Sequence, residues 1–280
     1  MDRREIVGEL EKDLLRAAAT GKVLYLEGHT DVTVLFGLLA RSPPTSVPAE
    51  GLPLDGVWIR GLPASGKGSG SSAVQSRVQV AMEERRAGVR GVVDGDGRDP
   101  AALAAEFDRP HIGPLYSWKA YCIENLLVQS GWPSGWGPEP DWHSVLADYL
   151  PYSALNRLVR RLQARWYAQG INRSGRPVRG QELRTAAQIR EQLRRDPRTL
   201  PVEGDLVAAF DAELDACRRV VETSLVHAHT VVDGKWLVEV HAAHAARCSA
   251  ADCRARWAAH AGGHGGHAEV IEWWRRWLAG

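Results

Sequence analysis

Short apolar runs alternate with longer amphipathic segments over roughly the first 117 residues of the chain. Short runs bounded by turn residues are typical of buried strands in a parallel sheet. The predicted strands are Val23–Leu26, Val57–Ile59, Val89–Val93 and Ile112–Leu115. Apolar residues at helical spacing predict helices over residues 5–19, 32–40 and 73–87. This order predicts an α/β fold in which helices flank a parallel sheet.

The pattern changes after about residue 117, where long helical segments replace the short apolar runs. The predicted helices cover residues 118–129, 144–169, 181–195 and 205–226, and the C-terminal third is also helical in character. A loop rich in Gly, Pro and Trp covers residues 131–141. We therefore predict an α/β domain over residues 1–135 and a mostly helical, arginine-rich domain over residues 136–280.

The overall composition is that of a globular protein, with 44% hydrophobic and 25% charged residues. No apolar run approaches the roughly 20 residues that span a bilayer. The first 16 residues are charged throughout and do not form a secretory signal. Four cysteines in 280 residues do not form a disulfide framework. We expect a cytoplasmic protein that does not enter the membrane.

The net charge of +1 conceals a strongly basic segment. Residues 151–200 contain twelve arginines but only three acids, Glu182, Glu191 and Asp196. One interpretation is a surface that binds the phosphate backbone of a nucleic acid. The other is an ordinary solvated basic face of a helix.

Acidic residues follow two of the predicted strands. Glu27 follows the first, and Asp94 and Asp96 follow the third. Because ligands of parallel α/β sheets bind beyond the carboxyl ends of the strands, we expect these side chains to meet there. Asp94 and Asp96 are two positions apart and can point the same way. The glycines at 95 and 97 would leave room for an ion, although Asp-Gly-Asp-Gly is also a common turn sequence.

Three carboxylates that converge in one crevice repel each other unless a cation neutralises them. Ligand sets made only of oxygen atoms suit Mg²⁺ or Mn²⁺. Such an ion can bind phosphate oxygens and activate water for hydrolysis. The acidic residues therefore predict a magnesium or manganese site for phosphate chemistry.

The order and spacing of several short motifs resemble a known family. Leu24–Asp31 and Val92–Asp96 are similar to the toprim pattern, with Glu after the first strand and Asp-x-Asp after the third. Ser65–Gly68, Trp118–Leu127 and Asp233–Leu237 narrow the likeness to the toprim-like DUF4435 family. Leu126 stands where that family usually has an aromatic residue. The resemblance covers residues 20–130 and, more weakly, 225–245.

The resemblance implies a metal-dependent nuclease that cuts DNA or RNA. It also implies a separate ATPase subunit as partner in anti-phage defence, as in PARIS-type two-gene systems. A homodimer is compatible with this interpretation. The alternative is a catalytically inactive toprim-fold protein that binds an ATPase or a nucleic acid.

The resemblance also implies roles for individual residues. Glu27 would be a metal ligand or general base, and Asp94 and Asp96 would hold the divalent ion. Asp31 and Glu124 would be additional ligands or supporting carboxylates. For Glu124 the alternative explanation is that it simply stabilises the N-terminus of a helix. The residues that would stabilise charge on the phosphate are Lys67 or Lys119, each of which could equally be a surface lysine.

Two further patterns carry less weight. Gly61–Lys67 fits the first seven positions of a P-loop, but Gly68 follows where a P-loop has Ser or Thr for Mg²⁺. The C-terminal Cys and His residues lack the Cys-x-x-Cys spacing of common zinc sites; they are Cys248, Cys253, His260, His264 and His267. We therefore expect neither ATP hydrolysis nor zinc binding by this chain.

Overall fold

The computed structural model describes residues 2–63, 70–95, 114–118, 120–168, 185–195, 205–223 and 228–279. The chain forms two compact units. The first contains Met1–Glu139 together with Gly234–Gly280, and the second contains Pro140–Asp233. Among the described helices, none combines the length and the apolar character needed to cross a bilayer.

A five-stranded sheet forms the centre of the first unit. Its strands are β1 (Val23–Leu26), β2 (Leu52–Leu54), β3 (Val57–Gly61), β4 (Val89–Val93) and β5 (Leu115–Ser117). Their order across the sheet is β2-β3-β1-β4-β5. All neighbouring pairs are parallel except β2 and β3. The predicted α/β fold with a mostly parallel sheet is confirmed.

The helices of the chain lie in the following order: α1 (Arg3–Arg16), α2 (His29–Leu38), α3 (Gly70–Glu83), α4 (Ile123–Gln129), α5 (Trp142–Ala168), α6 (Ala186–Arg195), α7 (Leu206–Thr223), α8 (Gly234–Trp236), α9 (Ala243–Ala246), α10 (Ala250–Gly263) and α11 (Ala268–Ala279). A 3₁₀ turn covers Ser134–Trp136, and a π-helical turn over Leu237–Ala242 joins α8 to α9. Helices α5, α6 and α7 pack together in the second unit.

The sheet is covered on both faces, which explains why the central strand β1 is apolar and buried at all four positions. Val23 and Tyr25 of β1 belong to the core cluster that includes Leu10 of α1 and Val78 of α3. Leu24 and Leu26 of β1 are buried as well. They point to the opposite face, because side chains alternate along a strand. Helix α2 contacts β1 and β3, and it packs against α4 and α10.

Two details of the sheet differ from the prediction. The loop predicted before β3 contains the short antiparallel edge strand β2, which a tight turn at Asp55 and Gly56 joins to β3. Both turn residues have positive φ, 49° and 83°, as two-residue hairpins require. The last strand covers Leu115–Ser117, whereas the predicted strand was Ile112–Leu115.

The C-terminal residues 234–280 belong to the same compact unit as the sheet, whereas the prediction divided the chain once, between residues 135 and 136. Close helix packing explains the difference. A Cβ on Gly37 of α2 would lie 2.1 Å from the carbonyl oxygen of Ala258 in α10, so a glycine is needed there. In α11, the ring of Trp273 stacks on Tyr116 of β5 with centroids 5.1 Å apart.

Candidate functional site

The carboxyl ends of β1 and β4 lie side by side, because these two strands are parallel neighbours. Glu27 directly follows β1, and Asp94 directly follows β4. Oε1 of Glu27 accepts a hydrogen bond of 2.8 Å from the backbone N–H of Asp94. The two strand ends are therefore joined through a carboxylate.

Asp94 is 2% exposed, and its carboxylate contacts distant parts of the described chain. Its Oδ1 accepts the backbone N–H of Ile123, at the start of α4, at 3.3 Å. Its Oδ2 lies 2.7 Å from Nζ of Lys235 in α8. The side chain of Lys235 is 40% exposed, so this ion pair lies at the edge of the buried region.

Asp31 lies in the first turn of α2 and is buried. Its Oδ2 accepts the backbone N–H of Gly28, the N-cap residue, at 3.0 Å. Burial raises the pKa of Asp31 to about 7; the positive charge of Lys235 opposes this rise, and the negative charges of Glu124 and Glu27 add to it.

Glu124, in the first turn of α4, is completely buried. Its Oε1 accepts a hydrogen bond of 3.0 Å from Nε of Arg254 in α10. Its Oε2 has no hydrogen-bond partner in the part of the chain that the structure describes. The same arginine also donates from Nη2 to Oε1 of Glu239, at 3.2 Å.

Glu27, Asp31, Asp94 and Glu124 form what we call the acidic cluster. Burial is the main reason why the pKa of Asp94 lies well above its ordinary value; Lys235 opposes this, and the other three carboxylates contribute to it. For Lys235, burial alone would lower the pKa, but Asp94 and its neighbours outweigh burial and raise it well above the ordinary value. Among the described residues, the cations that pair with these carboxylates include Lys235 and Arg254.

Asn125 and Gly234 hold Lys235 in place. Oδ1 of Asn125 accepts the backbone N–H groups of Cys122, at 3.0 Å, and of Gly234, at 3.1 Å. A Cβ on Gly234 would lie 2.5 Å from the backbone nitrogen of Asn125. Only a glycine therefore lets α8 approach α4 closely enough for this contact.

Lys235 lies in the Gly-Lys motif at 233–237, but the sequence alone predicts no role for it. Arg254 and Asn125 are likewise parts of the site that the sequence does not predict. The Gly-Lys and Glu-Asn pairs were the available signals for Lys235 and Asn125, whereas nothing around Arg254 distinguishes it from other arginines in the sequence.

Gly95 has a different purpose from the one predicted. A Cβ at this position would lie 2.1 Å from the carbonyl oxygen of Ala120 and 2.7 Å from that of Trp118. The space beside Gly95 is therefore filled by backbone, and the expectation that it leaves room for an ion is wrong. Its companion Gly97 lies outside the described residues.

Three of the predicted site residues, Asp96, Lys67 and Lys119, lie outside the described residues. Within the described residues, no group of three or more His, Cys, Asp or Glu side chains is arranged to hold a metal ion. The cation that pairs with Asp94 in the described part of the chain is the ammonium group of Lys235, at 2.7 Å.

Several arginines of the basic segment have acidic partners inside the second unit. Arg157 and Arg161 both pair with Glu213. Arg190 pairs with Asp211 at 2.8 Å. Residues 169–184 and 196–200 of this segment lie outside the described residues, so the phosphate-binding surface stays a prediction.

The chain was compared with models of known protein families, with curated proteins and with solved structures, and none of the three comparisons found a match.

Proposed function

We propose that the protein is a Mg²⁺- or Mn²⁺-dependent nuclease whose reaction centre is the acidic cluster. The observation that carries the proposal is that three buried carboxylates, those of Asp31, Asp94 and Glu124, accompany the half-buried Glu27 where two neighbouring parallel strands end. This is the usual ligand position of an α/β sheet. Strongly perturbed carboxyl groups, such as Asp31 and Asp94, are also concentrated at functional sites.

The chemistry of the acidic cluster fits a hard divalent cation. All four side chains offer carboxylate oxygens, which Mg²⁺ and Mn²⁺ prefer. The buried Oε2 of Glu124 has no partner among the described residues and is available as an acceptor. Glu27, Asp31 and Asp94 would hold the ion, together with Asp96, as the toprim resemblance implies. A bound ion would supply Lewis-acid stabilisation of phosphate charge and lower the pKa of water.

Residues of the chain itself would organise the rest of the reaction. Lys235 brings a positive charge beside Asp94, where it would stabilise charge on the phosphate. Arg254 donates a hydrogen bond to the carboxylate of Glu124 and so fixes the orientation of that carboxylate. In hydrolysis, water adds to phosphorus and one P–O bond breaks, which leaves a terminal phosphate on one product and a hydroxyl on the other.

The test is cleavage of plasmid DNA, single-stranded DNA and total tRNA with Mg²⁺ or Mn²⁺. Because the resemblance implies a defence system with a separate ATPase, each assay is run with and without any ATPase that a neighbouring gene encodes. We expect Glu27→Gln and Asp94→Asn each to lower cleavage at least about 100-fold, as loss of a group that acts on the transition state does. Glu83→Gln, an exposed position on α3, is the control and should cut like the wild type. Full activity of folded Asp94→Asn would overturn the proposal.

A second candidate function is an inactive toprim-fold protein that binds an ATPase or a nucleic acid. Its support is the ion pair between Lys235 and Asp94, which places an ammonium group beside a predicted metal ligand. The absence of a three-residue metal-ligand group among the described residues also favours it. Calorimetric titration with Mg²⁺ and Mn²⁺ separates the two candidates: binding that Asp94→Asn removes supports the nuclease, and no binding together with no cleavage supports the inactive partner.

A further inference from the structure

An open cleft of about 710 Å³ lies among the C-terminal helices of the first unit. The residues that line it are Glu239, Ala243, His244, Arg247 and Cys248. They belong to the π-helical turn, to α9 and to the connection that leads to α10. Isolated π-helical turns occur frequently at functional sites.

The cleft is connected to the acidic cluster by consecutive ionic contacts. Glu239 follows Lys235 by four residues in the same continuous helical segment. Lys235 contacts Asp94, while Glu239 contacts Arg254, and Arg254 contacts Glu124. A ligand in contact with Glu239 would therefore be separated from Glu124 of the acidic cluster by Arg254.

The charge of the cleft favours an anion. Arg247 and His244 are exposed. Within the described residues, the guanidinium of Arg247 has no ion-pair partner, so all its donors are available. Arg256 adds another positive charge nearby, since its Nη1 donates to the carbonyl of Ala246 at 3.4 Å. The negative charge of Glu239 is partly offset by Arg254, which Glu239 shares with Glu124.

We infer that this cleft binds a phosphodiester group of the nucleic-acid strand, next to the bond that is cut. Arg247 would form the main contact, because a guanidinium group can donate two parallel hydrogen bonds to phosphate oxygens. The imidazole of His244 would supply one further N–H donor. This inference rests on the proposed function, and it assigns the cleft to binding and the acidic cluster to the chemical step.

The backbone at Arg247 offers an unusually clean test. Arg247 has a φ of 50°, a left-handed conformation at the end of α9 that glycine adopts more readily than arginine. Arg247→Gly therefore removes the positive charge without straining the fold. Arg85 is a matched control: it is exposed and has a φ of 55° just after α3. Arg85→Gly makes the same substitution in the same conformation at a different place.

The experiment measures fluorescence anisotropy of labelled 20-nucleotide single-stranded DNA and of RNA with the same sequence, in EDTA. Binding in EDTA does not depend on a metal ion or on cleavage. We expect Arg247→Gly to weaken binding about tenfold, the loss expected for a charge-assisted hydrogen bond. The slope of log K against log salt should fall by about 0.7, as for the loss of one phosphate contact. Arg247→Lys should retain part of the affinity, and Arg85→Gly should bind like the wild type.

The outcomes distinguish failure of this inference from failure of the proposed function. If Arg247→Gly binds as tightly as the wild type, or if Arg85→Gly weakens binding equally, the cleft assignment is wrong, even where the wild type cuts. If the wild type binds neither oligonucleotide, the assignment is also wrong. If Arg247→Gly weakens binding but neither the wild type nor any variant cuts under any condition, the cleft assignment stands and the nuclease proposal fails. If the wild type cuts, Arg247→Gly should raise KM, whereas Asp94→Asn should lower kcat.

Discussion

Nζ of Lys235 lies 2.7 Å from Oδ2 of Asp94, although 141 residues separate them in the chain. One partner follows a central strand, and the other lies in a short helix near the C-terminus. The contact joins the sheet to the C-terminal helices and supplies positive charge to four crowded carboxylates. It therefore serves the fold and the proposed reaction centre at the same time.

Replacing Lys235 with methionine should reduce the stability of the protein. The substitution keeps the length of the side chain but leaves Asp94 buried without its ammonium partner. We expect the free energy of unfolding to fall by about 1–3 kcal/mol, less than for a fully buried pair because Lys235 is partly exposed. Urea unfolding of Lys235→Met and the wild type at pH 7.5 measures this difference.

A divalent ion should partly replace the missing charge. If the acidic cluster binds Mg²⁺, 10 mM of the ion should raise the melting temperature of Lys235→Met more than that of the wild type, because a ligand stabilises the state that binds it. Lys12→Met, on α1 and outside the acidic cluster, is the control and should show the wild-type response. Equal stability of Lys235→Met and the wild type would contradict the role of this ion pair.

The raised pKa of Asp31 makes stability depend on pH. In the folded state this carboxyl holds its proton up to about pH 7, whereas in the unfolded chain it releases the proton near the ordinary value of 3.8. Between these values the folded state binds more protons, so stability is greatest below the unfolded pKa and falls as the pH rises towards about 7. The contribution lost over this window is up to about 4 kcal/mol.

Asp31→Asn removes this titration but keeps an oxygen that can accept the N–H of Gly28. We expect the unfolding free energy of Asp31→Asn to fall less between pH 4.5 and 7.5 than that of the wild type. Asp94 titrates in the same direction and will leave part of the slope in place. Parallel pH profiles for the two proteins would show that Asp31 is not the titrating group.

The local part of the site was predictable from the sequence, and the long-range part was not. The apolar run of β1 and the run of β4 predicted that Glu27 and Asp94 would meet at one edge of the sheet, and the two side chains lie there. Lys235 and Arg254 lie in C-terminal helices. The apolar residues of these helices indicate that one face is buried, but they do not indicate which carboxylate each cation contacts. Their contacts depend on how α8 and α10 pack against α4, which no local periodicity specifies.

The close approach of neighbouring backbone segments at glycines was also not predictable from the sequence. The sequence shows that Gly95 and Gly37 are glycines, but not that a carbonyl oxygen lies where each Cβ would be. The Asp55–Gly56 hairpin is the opposite case. Asp-Gly between apolar residues is a strong hairpin signal, so β2 could have been predicted from local sequence alone.

Gly234→Ala should disturb the site without changing any charged residue. The new Cβ would lie 2.5 Å from the backbone nitrogen of Asn125, so α8 must shift away from α4. We expect a loss of about 1–3 kcal/mol in unfolding free energy, as for other cases of overpacking. Cleavage should fall as well, because Lys235 moves with its neighbour. Gly263→Ala, where a Cβ would meet nothing within 4 Å, should not destabilise the protein. Equal stability of the two variants would contradict the close packing described here.

Glu124→Gln tests whether the buried carboxylate contributes to metal binding. The substitution keeps the shape of the side chain and an oxygen for Arg254, but it removes one negative charge from the acidic cluster. We expect the calorimetric affinity for Mg²⁺ or Mn²⁺ to fall about tenfold, which corresponds to roughly 1.4 kcal/mol.

The matched control for this prediction is Glu239→Gln. Glu239 accepts a hydrogen bond from the same arginine, but its side chain is 57% exposed and lies on the cleft side of that arginine. The two variants therefore change one charge each on either side of Arg254. If both lower the metal affinity equally, the effect comes from the general loss of negative charge, and Glu124 has no special place in the metal site. A loss confined to Glu124→Gln would identify its buried carboxylate as part of that site.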